Sequence, residues 1–188
     1  MSGKAGSNQP GSLQSGRLTL VASTPGHLKT ELEHPERLTQ LLDAEVSSDW
    51  PSGEYDRGAM EFFLARLEEG GESAQGWYAW YALACGADRA RRTLVGAGGY
   101  FGPPDEAGLV EVGYSVLPEW QRQGYATEIV GLLARHAFTF AEVNRIIAHT
   151  TAENPASIGV LVRCGFVAAG PGADPSTLRF ELHRSARS

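Results

Sequence analysis

Residues 109–141 limit what this chain can fold into more than any other stretch. Leu109 to Leu117 reads as a strand, with Val110, Val112, Tyr114 and Val116 along one face. Ala126, Ile129, Val130, Leu133, Ala137, Phe140 and Ala141 then recur at helical spacing, which predicts a long amphipathic helix. Between the two lies Gln121-Arg122-Gln123-Gly124-Tyr125-Ala126, a Gln-x-x-Gly-x-Ala turn. A small-residue turn at a helix start leaves several N–H groups unpaired and aimed one way, with the positive end of the helix dipole behind them. Such a terminus suits a pyrophosphate, here on the amides from Gln123 to Thr127. Gly124 permits close approach because it has no Cβ, and Ala126 keeps the first turn slim. Gln121, Arg122 and Gln123 offer side-chain donors.

A single glycine near a helix start usually only punctuates structure. Neither the Gly-x-Gly-x-x-Gly dinucleotide fingerprint nor the Gly-Lys-Ser/Thr of a Walker loop is present, which argues against a nucleotide-dependent enzyme. What sets this turn apart is its setting of strand, Pro-containing loop and long helix. A second block follows it. Arg145 to Thr150 reads as a strand, and Asn154-Pro155-Ala156-Ser157 leads into a short helix from Ile158 to Cys164. Gly165-Phe166-Val167 then opens another strand.

In order and spacing, these two blocks resemble the GCN5-related N-acetyltransferase (GNAT) family over residues 109–169. The Val112-Gly113-Tyr114-Ser115-Val116 strand and the early Trp50-Pro51 are similar to the RimJ/RimL-like branch, which includes ribosomal-protein N-terminal acetyltransferases. The resemblance implies an α/β fold in a single domain over residues 17–184. Its sheet would be mixed and mostly antiparallel, flanked by helices, with splayed central strands. The resemblance also implies acetyl-CoA as co-substrate, its pyrophosphate on the loop and its pantetheine amides paired with strand edges left open by the splay. Val116 and Leu117 fall at the strand end, where the family places an amide near the thioester carbonyl, and Asn154 would face the pantetheine arm while capping its helix.

Acetyl transfer to an amine requires loss of a proton from the amine, stabilisation of charge on the thioester oxygen, and protonation or stabilisation of the departing thiolate. Two residues are candidates for the base. Glu111 lies on the central strand on the face of Ser115, and its apolar neighbours Leu109, Val110 and Val112 suit a base working near neutral pH. The other reading of Glu111 is an ion-paired or solvated residue at the strand mouth. His149 would lie on the opposite lip, five residues before Asn154, either as a base or as a hydrogen-bonded structural histidine. Many relatives carry a general-acid tyrosine in the helix after the asparagine, and here that position is Leu161. The thiolate proton would then come from Ser157, a water or the departing ammonium. Without that tyrosine, a non-catalytic acyl-CoA-binding or regulatory module is the alternative function. The acceptor would be a protein N-terminus or a small amine such as an amino acid, polyamine or aminoglycoside.

Composition agrees with an ordinary globular protein. The 188 residues suffice for one domain, and 42% are hydrophobic. No apolar run reaches the roughly 20 residues of a membrane helix, and no apolar signal-peptide core opens the chain, so a cytoplasmic protein with no membrane partner is expected. Cys85 and Cys164 lack metal-site spacing, so no metal is expected. A net charge of −6 argues against nucleic acid and is compatible with a cationic amine. Fold analogy suggests a homodimer. Residues 1–16 are rich in Gly, Ser, Asn and Gln and read as a disordered leader. After a strand at Arg17–Ala22, helices are expected at Pro25–Leu32, Pro35–Glu45 and Asp56–Glu69, and paired strands at Trp77–Cys85 and Thr93–Phe101. Arg89-Ala90-Arg91-Arg92 would form the hairpin loop between that pair, and Ser176–His183 the last strand.

Overall fold

A computed structural model of the protein describes residues 11–51, 53–86 and 91–185. Eight strands form one sheet in the order β1-β2-β3-β4-β5-β6-β8-β7. They are β1 (Ser12–Ser15), β2 (Leu18–Ala22), β3 (Ala79–Cys85), β4 (Arg92–Tyr100), β5 (Leu109–Val116), β6 (Arg145–Thr151), β7 (Val167–Pro171) and β8 (Thr177–His183). The helices are α1 (Pro25–Glu33), α2 (Leu38–Leu42), α3 (Arg57–Gly70), α4 (Tyr125–Ala137) and α5 (Pro155–Arg163). Every neighbouring pair is antiparallel except β5 and β6, which run parallel. Parallel neighbours need a crossover, and α4 supplies it. No helix among the described residues is long and apolar enough to cross a membrane.

β5 and β6 pair at three positions, Leu109–Arg145, Val110–Ile146 and Glu111–Ile147. From Val112 to Val116, β5 pairs with β4 alone, while β6 stays paired with β8 as far as Thr151. The central strands therefore part after Glu111, as the family resemblance implied.

Strand β3 is buried on both faces. Trp80 packs towards α4, where its ring meets His136 at 5.2 Å. Tyr81 points the other way, and its hydroxyl donates to Glu31 of α1 at 2.6 Å. A smooth backbone at Gly98 lets α4 approach, since a Cβ there would lie 2.5 Å from Ile129.

Two expectations need correction. The helix expected over Pro35–Glu45 is instead a 3₁₀ turn (Pro35–Arg37) followed by the short α2. Asp43 takes a left-handed conformation (φ 47°), and the Arg92 side chain holds it there by donating to the carbonyls of Leu42 and Asp43. Glu45 then bridges to Thr93 at the sheet edge. Part of the segment expected to be a disordered leader is also ordered. Ser12–Ser15 forms β1, because a polar strand can still satisfy its backbone by pairing with β2. Residues 1–10 lie outside the described residues, as do Arg89 and Ala90 of the expected hairpin loop. Arg92 begins β4.

Buried titratable groups give the fold a pH dependence. His136 sits among Trp77, Trp80 and Phe140, with Nδ1 3.2 Å from the Tyr100 hydroxyl. Burial holds it below its ordinary 6.5, and it does the same to His27. The unfolded chain then takes up these protons first as pH falls through 6.5, so stability falls with pH. Glu31 acts in the opposite sense. Burial raises its carboxyl above 4.5, so the folded state holds the extra proton and gains as pH drops towards that value. His136→Phe keeps a ring in the aromatic box and removes one titration. Between about pH 7.5 and about pH 5.5 this variant should lose less melting temperature than the native chain. Equal losses in a thermal-denaturation series would place the proton uptake elsewhere.

Candidate active site

The gap between β5 and β6 widens into a cleft of about 850 Å³. Because the strands splay, its strand lining runs continuously from Glu111 to Val116 on β5 and from His149 to Thr151 on β6. Its far end is the start of α4, and the start of α5 forms one side.

The start of α4 is unlike the other long helices. Thr24, Asp56 and Asn154 cap α1, α3 and α5 with their side chains. Gly124 occupies the N-cap of α4 and supplies no side-chain cap to it. Arg122 (φ 60°) and Gly124 (φ 87°) both hold left-handed conformations, which turn successive amides towards one side. A non-glycine residue in that region is uncommon, and clusters of such residues mark ligand sites. Arg122, Gly124, Tyr125, Ala126 and Thr127 all line the cleft.

Other loop residues expected to bind do something else. Gln121 lines the cleft, but its side-chain amide donates to Val116 O at 3.0 Å. Gln123 is exposed, and its side-chain amide donates to Glu119 O at 3.0 Å. Both glutamines brace the loop. Leu117 is fully buried and its amide is bonded to Val95 O, so it is a core residue and not a cleft residue. Val116 does line the cleft.

Glu111 and His149 meet. His149 Nδ1 lies 2.7 Å from Glu111 Oε1, and the side chains are 19% and 33% exposed. The register explains the contact. Glu111 pairs with Ile147 at the last rung before the strands part, and His149 is the next residue of β6 on the same face. The tip of the turn between β7 and β8 closes over the ring, with a Cβ at Gly172 falling 2.8 Å from His149 Cδ2.

At the start of α5, Asn154 Oδ1 accepts from the Ser157 amide at 3.0 Å. Ser157 Oγ lies 2.8 Å from the Tyr114 hydroxyl, and burial raises the Tyr114 pKa. Ser157, Asn154 and Tyr114 all border the cleft.

Comparison with known proteins agrees with this geometry. The acetyltransferase (GNAT) domain model matches residues 17–167. The chain belongs to the GNAT family. It is 24% identical over 155 residues to an uncharacterized N-acetyltransferase, YjdG, of Bacillus subtilis strain 168, covering 82% of this chain and 89% of that protein. A putative ribosomal-protein-serine acetyltransferase from Vibrio cholerae has a similar fold (TM-score 0.61, 20% identity, 93% of this chain and 98% of that one). So does the microcin C7 self-immunity acetyltransferase MccE, solved with acetyl-CoA and AMP (TM-score 0.61, 11% identity, 90% and 94% coverage). At these identities the structural likeness is one of fold. The family match makes this GNAT protein an acetyltransferase enzyme.

Three further residues line or brace the cleft. The β5 alternation put Tyr114 on the face of Val110, Val112 and Val116, but nothing in the sequence announced its bond to Ser157. Arg163 lines the cleft from the last turn of α5. Arg17 stacks on the Tyr125 ring (4.3 Å), donates to Gln123 O at 2.5 Å and pairs with Glu128 at 2.6 Å. Ser15 donates to the same Glu128 at 3.0 Å. The N-terminal hairpin thus braces the α4 loop, a role that only tertiary contact makes visible.

Two measurements test this arrangement. Arg17→Ala should raise the acetyl-CoA KM roughly two- to tenfold, because an exposed charged brace contributes modestly. Gly124→Val should abolish CoA binding while the protein stays folded, since a β-branched residue resists φ 87°. Normal calorimetric binding of CoA by folded Gly124→Val would remove the loop from the phosphate site.

Proposed function

We propose that this chain is an acetyl-CoA-dependent N-acetyltransferase that acetylates a primary amine by direct attack within a ternary complex. The observation that carries this reading is a single cleft joining the uncapped start of α4 to the His149–Glu111 pair.

The residues fit the group they would hold. The amides at the start of α4 receive the pyrophosphate, and Arg122 and Arg163 lie along the same cleft to meet phosphate charge. The open edges of β5 and β6 pair with the pantetheine amides as an added strand would. Asn154 keeps its cap and faces the same arm. The bound thioester supplies the acetyl group; everything else is done by this chain.

A carboxylate can only accept, so Glu111 takes the Nδ1–H of His149 and leaves Nε2 with its lone pair. His149 Nε2 is then the group that removes the ammonium proton, and Glu111 is the positioning residue that fixes tautomer and ring. The strand-end amides near Val116 meet charge developing on the thioester oxygen. The second proton, shed by the attacking nitrogen as the amide forms, passes through Ser157 Oγ to the departing thiolate, so the hydroxyl is restored, with the Tyr114 hydroxyl behind it. Burial raises the pKa of that phenol.

The acceptor is a protein N-terminus or a small-molecule amine. Release of free CoA thiol from acetyl-CoA with a panel of amines tests the activity, and CoA binding without amine-dependent thiol release would overturn it. His149→Gln should lower kcat/KM by roughly 10²–10⁴ and remove the rise of the rate with pH. Glu111→Gln should cost less and keep that rise, because the ring remains. The reverse pattern would make Glu111 the base.

A further inference from the structure

Beside the cleft lies a smaller pocket of about 70 Å³ that shares Glu54, Phe101, Gly113, Tyr114 and Ser115 with it. Its remaining walls come from the acceptor side of the fold, chiefly Tyr55, Ala59 and Phe63. The pocket is more apolar than its residue names suggest. The Tyr55 hydroxyl donates to Glu31 at 3.0 Å and the Tyr114 hydroxyl is engaged with Ser157 at 2.8 Å. Tyr55 therefore offers ring carbon to the pocket, whereas the Tyr114 side chain runs to α5 on the other face of the sheet and leaves only its backbone here. The Phe101 ring packs tilted against Phe63 (centroids 6.4 Å apart), and Phe63 meets Phe62 edge-on (5.6 Å). Phe101 and Phe62 remain 51% and 45% exposed, so the apolar surface runs out to the rim.

The position of the pocket relative to the His149–Glu111 pair decides its occupant. Gly113 lies two residues beyond Glu111 on the same face of β5, roughly 7 Å along the strand. An amine held at His149 would place the group on its own carbon at the pocket mouth. A Cβ at Gly113 would come 3.0 Å from the Phe101 ring, so the glycine lets that ring close the mouth. Glu54 is the one carboxylate lining this pocket. A polyamine carries charges along its length and would bring an ammonium group into an apolar wall. A branched aliphatic group has no such cost and fills a space of this size.

Resting on the acetyl-transfer reading above, we propose that this pocket receives the apolar side chain on the carbon bearing the acceptor amine. The substrate class is then α-amines of aliphatic residues, as at a peptide N-terminus or in an amino-acid amide, and not polyamines.

A matched set of glycinamide, alaninamide, valinamide, leucinamide, lysinamide and spermidine tests this. From glycinamide to leucinamide kcat/KM should rise roughly tenfold or more, with lysinamide and spermidine well below leucinamide. Ala59→Leu narrows the pocket from the first turn of α3, outside the cleft lining. It should erase the leucinamide preference while the acetyl-CoA KM stays the same. Calorimetric titration of each amine into the CoA-bound protein should give the same order of affinities and needs no turnover. Ordered binding with no acetylation of any amine would count against the acetyl-transfer reading and leave the pocket assignment supported. A flat series in both rate and binding, a preference for spermidine, or a leucinamide preference unaltered by Ala59→Leu would overturn the pocket assignment. Faster use of butyryl-CoA than acetyl-CoA, with no preference among the amides, would assign the pocket to the acyl group and would also overturn it.

Discussion

The structure depends on the parting of β5 and β6 after Glu111. A parallel pair joined by one helix fixes where that helix begins, at the C-terminal end of the first strand. Ligands in open α/β sheets bind at such carboxyl ends, where the connections diverge. Here the helix start that can hold phosphate and the strand edges that can hold amides are products of one local failure to pair. The divergence is tolerated because each strand keeps its outer neighbour, β4 beside β5 and β8 beside β6. Only the two facing edges lose partners. Backbone groups left unpaired away from water need substitutes, which a pantetheine arm can supply.

The same fork sets the chemistry. Glu111 stands on the last rung and His149 just beyond it, so carboxylate and imidazole meet across the narrowest part of the gap. One residue earlier, the pair would face the opposite side of the sheet.

Much of this was legible in residues 109–165. Strand alternation and helical periodicity located β5, α4, β6 and α5 to within a residue or two at most ends, because each buries one well-defined face. The helix α4 ended earlier than its apolar pattern, since Phe138 and Phe140 pack in turns after it. The sequence also placed Glu111 and His149 on opposite lips of one cleft. It could not show that they touch, because that contact depends on the rung at which pairing stops. Residues 35–45 misled for a different reason. Their apolar spacing is helical, but Arg92, distant in sequence, captures the carbonyls of Leu42 and Asp43 and ends the helix early. The polar run ending at Ser15 was misread because composition reports what a segment can bury, not what its backbone can pair with.

The two sides of the cleft are braced by separate charged groups. On the phosphate side, Arg17 and Glu128 tie the N-terminal hairpin to the first turn of α4. On the acceptor side the brace is Glu31, which is almost fully buried. Its carboxylate accepts from Trp50 Nε1 (2.6 Å), the Tyr55 hydroxyl (3.0 Å) and the Tyr81 hydroxyl (2.6 Å). Burial raises its pKa despite three donors that lower it, so desolvation outweighs hydrogen bonding at this site. A group held against such a cost fixes geometry more than it adds stability. What it fixes are the Trp50 and Tyr55 side chains, and near them Gly53 lies close over Ser115, with a Cβ position only 2.5 Å from Ser115 Oγ. The same anchor turns the Tyr55 hydroxyl away from the small pocket and leaves its ring as wall. The polar cluster beneath thereby makes the surface above it apolar, and the shape of the small pocket rests on a carboxylate that does not line it.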